Sequence, residues 1–537
     1  MRNTIGGVVA AVIVLGVGIF FLLSSGGVDE PTIALAAPRF VDETARAGVQ
    51  QVYTGGSQYF EGGGVAAFDC SGDGSDELFF AGGESRAALY RNESPQGGAL
   101  EFTRIESPAL ELEAVTGAYP IDIDGDHVTD LVVLRVGENV VFRGLGECSF
   151  ERANETWGID GGDEWTVGFT ATWNHNVELP TLAFGNYLKL TDLTNETDLC
   201  ASNVLMRPEG RSYGPPIELE PAWCTLSMLF SDWNRSGTAD LRVTNDRQYN
   251  RDGEEQLWRA SEDDPVSYTR DEGWKLVRIW GMGIASYDIT GDGFPEVYLT
   301  SQGDNKLQTL ADGPETPTFT DIAIRRGVTA HRPYVGDNTL PSTAWHSEFQ
   351  DVNNDGFVDL FVAKGNVDAM PEFTAVDPNN LLIGQPDGTF IEGGVEAGIV
   401  HAGKTRGGAL VDLNRDGLLD LVEVNREESV RIWRNIGSGT VDEPAPMGNW
   451  IGVELRQELG SNSGAIGSII EVRIGEHLMA REVTVGGGHA SGQLGDYHFG
   501  IGSAERVEVR VIWPDSSVSK WIEVTAGHSR IVVRDMG

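Results

Sequence analysis

The sequence predicts an all-β protein: a seven-bladed β-propeller, a small C-terminal β domain and an N-terminal transmembrane helix. Three observations carry this expectation. An acidic ten-residue loop recurs along the chain at a nearly constant step, the same two strand-like companions follow it, and the repeat is cut out of phase at its two ends.

The best-preserved loop is Asp351-Val352-Asn353-Asn354-Asp355-Gly356-Phe357-Val358-Asp359-Leu360, with oxygen side chains at positions 1, 3, 5 and 9. Hard cations such as Ca²⁺ take roughly six to eight oxygen ligands, and carboxylates on alternate residues can wrap around one ion. Gly356 at position 6 allows the backbone reversal that returns Asp359 to the metal. An EF-hand would continue into a helix carrying a bidentate Glu. Here Leu360-Phe361-Val362-Ala363 follows, a run suited to a buried strand, so the loop joins two strands.

The same frame returns at Asp69 with Ser71, Asp73 and Glu77, and at Asp122 with Asp124, Asp126 and Asp130. It returns at Asp232 with Asn234, Ser236 and Asp240, and at Asp288 with Thr290, Asp292 and Glu296. The last copy is Asp412 with Asn414, Asp416 and Asp420. A seventh slot fits at Trp173, where the ligand positions have decayed to Trp173, His175, Val177 and Thr181. From 69 to 412 there are six steps averaging about 57 residues, a period typical of stacked or radial repeats.

Two companions complete each unit. An apolar-aromatic-Arg strand follows as Leu89-Tyr90-Arg91, Val141-Phe142-Arg143, Leu257-Trp258-Arg259 and Ile432-Trp433-Arg434. A Phe then precedes a Gly-aliphatic pair, as Phe40 with Gly48-Val49, Phe150 with Gly158-Ile159, Phe319 with Gly327-Val328 and Phe390 with Gly398-Ile399. Each unit therefore supplies enough short strands for one four-stranded blade. The chain begins with this trailing element, and the last unit lacks it after Asn435. The N-terminal strand is expected to complete the last blade and close the ring, removing an exposed sheet edge.

These loops and companions resemble the FG-GAP (VCBS-type) repeats of integrin α-subunits over about residues 39–440. The stretch from Met206 to Asp246, with Glu254-Glu255-Gln256-Leu257-Trp258-Arg259, resembles the bacterial branch of the cartilage acidic protein family. That resemblance implies an exported calcium-binding propeller and no established chemistry.

Residues 1–38 are expected to form an anchor and tether. Residues 4–23 carry no charge, and at about 1.5 Å per residue they span a hydrocarbon core of about 30 Å. Arg2 precedes them while Asp29 and Glu30 follow, which keeps the N-terminus cytoplasmic and exports the rest as a single-pass protein. The alternative is secretion after signal cleavage at Ala34-Leu35-Ala36.

The formal charge of −42 excludes nucleic acid and adsorption to anionic lipid, since both need clustered Lys and Arg. Membrane association is thus expected through the N-terminal helix only. About six Ca²⁺ ions would bring that charge to about −30. The four cysteines fit an oxidising compartment. Cys200 and Cys224 flank a Pro/Gly-rich insertion and form the favoured disulfide, while Cys70 and Cys148 are a second possible pair.

His331, His346 and Glu348 are the candidate ligand site, on strands expected to line the central channel. Hydrogen-bonded packing is the competing reading for them. Gly437-Ser438-Gly439-Thr440 with Pro444 and Pro446 marks a linker. Residues 449–537 then show alternating strands such as Val507-Glu508-Val509-Arg510-Val511-Ile512-Trp513. Asn462-Ser463-Gly464-Ala465, Gly486-Gly487-Gly488 and Trp513-Pro514-Asp515 make this part resemble the ASPIC/UnbV domain, with Ile466 where that family often has Arg. The glycine run is no phosphate loop, because neither Lys-Ser/Thr nor a helix follows it.

No His-Glu-x-x-His or haem-attachment motif occurs, and no catalytic residue is assigned. The expected function is recognition or adhesion toward an unidentified protein or carbohydrate. The alternatives are an exported enzyme with a channel site near His331 and His346, and an accessory subunit of a membrane complex held by the helix.

Overall fold

The computed structural model describes residues 35–174, 177–190, 199–247, 252–261, 264–329, 340–367, 373–458 and 460–534. The predicted anchor at 4–23 lies outside them, and no helix among the described residues is long and apolar enough to cross a membrane.

Among the described residues, seven sheets of four antiparallel strands follow one another along residues 40–435. Their first strands are Val65–Phe68, Val115–Ile121, Thr166–Thr172, Thr225–Ser231, Gly281–Tyr287, Ala344–Gln350 and Thr405–Val411. Each touches the next, and Thr405–Val411 touches Val65–Phe68, so they line a propeller-like ring. These strands are almost wholly buried and rich in Ala, Gly, Val and Thr, which lets seven backbones converge near one axis. The expected closure is present: Phe40–Asp42 pairs antiparallel with Arg431–Asn435, with Phe40 opposite Asn435 and Asp42 opposite Trp433.

The conserved spacing within each unit has a local cause. Gly48, Gly158, Gly327 and Gly398 end four-residue helices at φ of 78°, 68°, 81° and 87°, a left-handed conformation that a Cβ disfavours. The aliphatic residue after each glycine, Val49, Ile159, Val328 or Ile399, is buried between sheets.

Beyond residue 448 a three-stranded sheet orders Tyr497–Gly502, Asn449–Arg456 and His528–Val533. A four-stranded sheet orders His477–Glu482, Ile469–Ile474, Arg506–Ile512 and Ile522–Thr525. Ile451, Val453, Ile470, Val472, Phe499 and Val509 fill the space between them. The expected linker is itself folded: Gly437 bridges Ala445, and Ser438 N–H donates to Ala445 O at 3.0 Å.

This domain is not a separate body. Its glycine-rich segment leaves the domain at Val485, crosses the ring and returns as Gly492–Leu494, which joins the first sheet parallel to Ala66–Phe68. Both disulfides form, Cys200–Cys224 across the insertion and Cys70–Cys148 between the first and second sheets.

Candidate functional site: the acidic loops and the central channel

Each of the six acidic loops joins the first strand of a sheet to the second, and its position-9 acid is the first residue of that second strand. Glu77, Asp130, Asp240, Glu296, Asp359 and Asp420 all occupy this place. The structure therefore brings the four predicted residues of each loop around one turn, at one end of the ring.

The position-1 aspartate organises the turn. Gly72 and Gly74 N–H donate to the two carboxylate oxygens of Asp69, at 2.6 and 2.8 Å. Gly125 and His127 do the same for Asp122, at 2.8 and 2.9 Å, and Gly291 and Gly293 for Asp288, at 2.8 and 2.9 Å. Asp351 receives Asp355 and Gly356 N–H at 3.2 and 2.7 Å, and Asp412 receives Asp416 and Gly417 N–H at 3.1 and 2.8 Å. Asp232 is held alike by Ser236 and Gly237, each at 2.8 Å. Position 6 sits at positive φ throughout, including His127 at 65° where the second loop lacks the glycine.

The position-9 acid ties the loop to its sheet. Asp359 accepts Val352 N–H at 2.9 Å and Gly384 N–H at 2.8 Å, and Asp420 accepts Leu413 and Asn435 N–H at 3.1 and 2.8 Å. Some oxygens are left over. Among the described residues, Glu77 Oε1, Asn414 Oδ1 and Asp124 Oδ1 are buried without a hydrogen-bond partner. Glu77 and Asn414 are 0 and 1 % exposed. Ligand oxygens of Asp122, Asp124 and Asp130 lie within 4.8 Å of one another. A buried acceptor without a donor is costly, and a cation satisfies several at once.

Other groups also reach these oxygens: in the Asp351 loop, Asp355 Oδ2 accepts Leu35 N–H at 2.7 Å and Asn353 Nδ2–H at 3.1 Å. Arg143, from the aromatic-Arg companion strand, places Nε 2.8 Å from Asp124 Oδ2 and Nη2 2.7 Å from Asp126 Oδ2. In the fourth loop, Asp240 Oδ2 accepts Trp233 Nε1–H at 2.7 Å and the Tyr268 hydroxyl at 2.8 Å.

Burial and crowding raise several of these carboxyls. Burial, then neighbouring acids, pushes Asp412 up to about 7 and holds Asp420 well above the carboxylate range. Burial likewise pushes Asp130 up to about 8, against the donated hydrogen bonds of Gly144 and Ile123. Asp351 and Asp359 are raised by burial and by the acids beside them.

Of the candidate ligand site, His331 lies outside the described residues. His346 and Glu348 share one face of Ala344–Gln350 and point into the channel, with Nε2 and Oε2 3.6 Å apart. The space before them is filled by the chain's own segment 485–494. His489 N–H donates to His346 Nδ1 at 3.1 Å, and Gln493 Nε2–H donates to Glu348 Oε2 at 2.8 Å. Glu348 Oε2 also accepts Leu410 N–H at 3.1 Å, while His346 Nε2 has no hydrogen-bond partner among the described residues.

His489 is the residue that sequence reasoning missed. Its Nε2 accepts Gly62 N–H at 3.0 Å, so Nδ1 carries the proton and donates to Met282 O at 3.0 Å. Its ring packs on Trp345 at 5.0 Å, and burial pushes its pKa down to about 3. Gly487 N–H donates to Met228 O at 2.8 Å, Gly488 N–H to Ile284 O at 2.5 Å, and Ala118 N–H to Ala490 O at 3.2 Å. The only visible signal was a glycine run, which by itself names no partner.

A family model described as "FG-GAP-like repeat" matches residues 69–133 and 351–423, and one described as "ASPIC and UnbV" matches residues 458–535. The chain carries FG-GAP-like repeats and ends in an ASPIC/UnbV domain. The segment that fills the channel thus belongs to the ASPIC/UnbV domain.

None of the curated proteins matches significantly. Among solved structures, the chain is similar to BBS1N, crystallised in complex with ARL6DN, at 12 % identity and a TM-score of 0.41, covering 75 % of this chain and 98 % of that one. It is similar to an Agrocybe aegerita lectin that recognises non-reducing terminal N-acetylglucosamine, at 15 % identity and a TM-score of 0.39, covering 70 % and 92 %. AofleA from Arthrobotrys oligospora shares 11 % identity at a TM-score of 0.34, covering 66 % and 89 %. Scores of this size carry no argument about this chain.

Proposed function

We propose that the protein is a calcium-stabilised, seven-bladed propeller that serves as a recognition or adhesion module on the exported side of a membrane, tethered by residues 4–23. The observation that carries the calcium reading is the pair of buried, unpartnered oxygens, Glu77 Oε1 and Asn414 Oδ1, inside loops already folded around their position-1 aspartates. Asp69, Ser71, Asp73 and Glu77 would hold the ion of the first loop, and the matching residues those of the other five. The ion would supply positive charge and further bonds to oxygen, fixing each hairpin; it would serve structure.

The recognition reading draws on the end of the ring opposite the acidic loops. The ASPIC/UnbV domain packs against acidic loops through Ser463, His477 and His498, so a protein or carbohydrate would meet the opposite end, where the connections 81–87 and 302–305 lie among the described residues. A channel enzyme near His346 is the weaker reading, since the chain's own segment occupies the approach to that side chain.

Metal analysis of the soluble chain, dialysed against calcium, tests the proposal. About six equivalents are expected if every loop fills. Absence of bound calcium would defeat the reading.

A further inference from the structure

Resting on that calcium reading, we infer that the cations of the Asp351 and Asp412 loops latch the ASPIC/UnbV domain to the ring, so that divalent-ion binding controls whether segment 485–494 stays in the channel.

The domain grips these two loops at their turns. Gly500 lies so close over Asp351 that an added Cβ would stand 2.0 Å from Oδ2. Gly502 N–H donates to Asn354 O at 2.9 Å, and His498 Nε2–H donates to Asn354 Oδ1 at 2.6 Å. His477 Nε2–H reaches Gly356 O at 3.0 Å. The Trp450 indole covers Gly417, where a Cβ would meet Nε1 at 1.7 Å, and stacks on the His498 ring at 5.8 Å. The loops are themselves joined, as Asn354 Nδ2–H donates to Gly417 O at 2.8 Å.

The grip and the channel segment are covalently adjacent. His498, Gly500 and Gly502 belong to Tyr497–Gly502, which begins three residues after Gly492–Leu494 ends. The gripped residues Asn354, Gly356 and Gly417 are interleaved with the acids, and Asp355 and Asp359 are each 1 % exposed. With an ion present, Asp351, Asp355 and Asp359 converge and the turn keeps its shape. Without it, nothing draws these three side chains to one point, and the surface that receives Trp450, His498 and Gly500 is no longer fixed. Asn414 Oδ1, buried and unpartnered within the second loop, is the separate sign that an ion belongs there. The residues uncovered by withdrawal of the segment would be His346 and Glu348.

Amide hydrogen exchange on the full chain, well below its melting temperature, tests this with calcium alone and then with a chelator. Gly487, Gly488 and His489 are expected to exchange at least about tenfold faster after chelation, while amides of second strands such as Leu421 and Val422 keep their protection. If calcium binds and raises the melting temperature but the three amides do not change, or change only together with the strands, the latch is overturned and the calcium reading survives. If no calcium binds, both fall.

Discussion

Gly64 offers a direct test of the channel segment. Its φ is not positive, so alanine meets no backbone strain there, yet an added Cβ would lie 1.7 Å from Ala490 O and 3.1 Å from Gly117 Cα. Ordinary contact between such atoms needs about 3.5 Å, so in Gly64→Ala the segment must retreat by nearly 2 Å. That distance breaks three hydrogen bonds: Val65 N–H to Ser491 Oγ at 3.2 Å, Gly62 N–H to His489 Nε2 at 3.0 Å, and Ala118 N–H to Ala490 O. At roughly 0.5–1.5 kcal/mol each, the loss is about 2–4 kcal/mol. Gly487, Gly488 and His489 amides would then exchange about 30- to 700-fold faster, taking tenfold per 1.4 kcal/mol. Gly72→Ala is the control. Its φ of 78° makes alanine cost roughly 1 kcal/mol, but nothing stands near the new methyl and the channel segment is untouched. Unchanged exchange in Gly64→Ala would refute the placement of the segment against the first sheet.

Two further predictions follow from buried groups. His489 titrates at about 3 in the folded chain against about 6.5 unfolded, so the unfolded state binds more protons below pH 6.5 and the stabilisation is lost as pH falls from there. Lowering pH from 7 to 4.5 should cost the wild type about 2–3 kcal/mol more than His489→Gln in urea unfolding; equal losses would contradict it. Comparison with the variant is needed because carboxyls raised by burial, such as Asp130, act in the opposite sense in cation-free protein. Replacing Cys200 and Cys224 by serine opens a bridge between residues 24 positions apart and should cost about 3 kcal/mol, read as a lower urea midpoint in oxidised protein.

How much was legible in advance differs from one part of the molecule to another. The loop frame, the aromatic-Arg strand and the Phe…Gly element were each readable because local backbone chemistry fixes them. A turn that needs positive φ selects glycine, and a position-1 acid is needed to accept the turn's own N–H groups. Even the closure of the ring was readable, since a repeat cut out of phase leaves each end lacking what the other supplies. Contacts from other side chains to the loops were less visible. That Arg143 would sit on Asp124 and Asp126, or that Trp233 and Tyr268 would engage Asp240, depends on neighbours whose side chains converge only in the folded sheet.

The sequence by itself determined the repeat, its strands, its acidic turns and the ring's closure, because these are set by spacing and by the conformations single residues allow. Tertiary structure alone decided where Gly486-Gly487-Gly488-His489 goes. A backbone free of bulky side chains has no preferred partner until the channel exists. Gly64, Gly117 and Gly407 reach one axis from three sheets, and only their convergence leaves room for Ala490 and Ser491. The same convergence gave His346 and Glu348 an occupant from the chain's own far end.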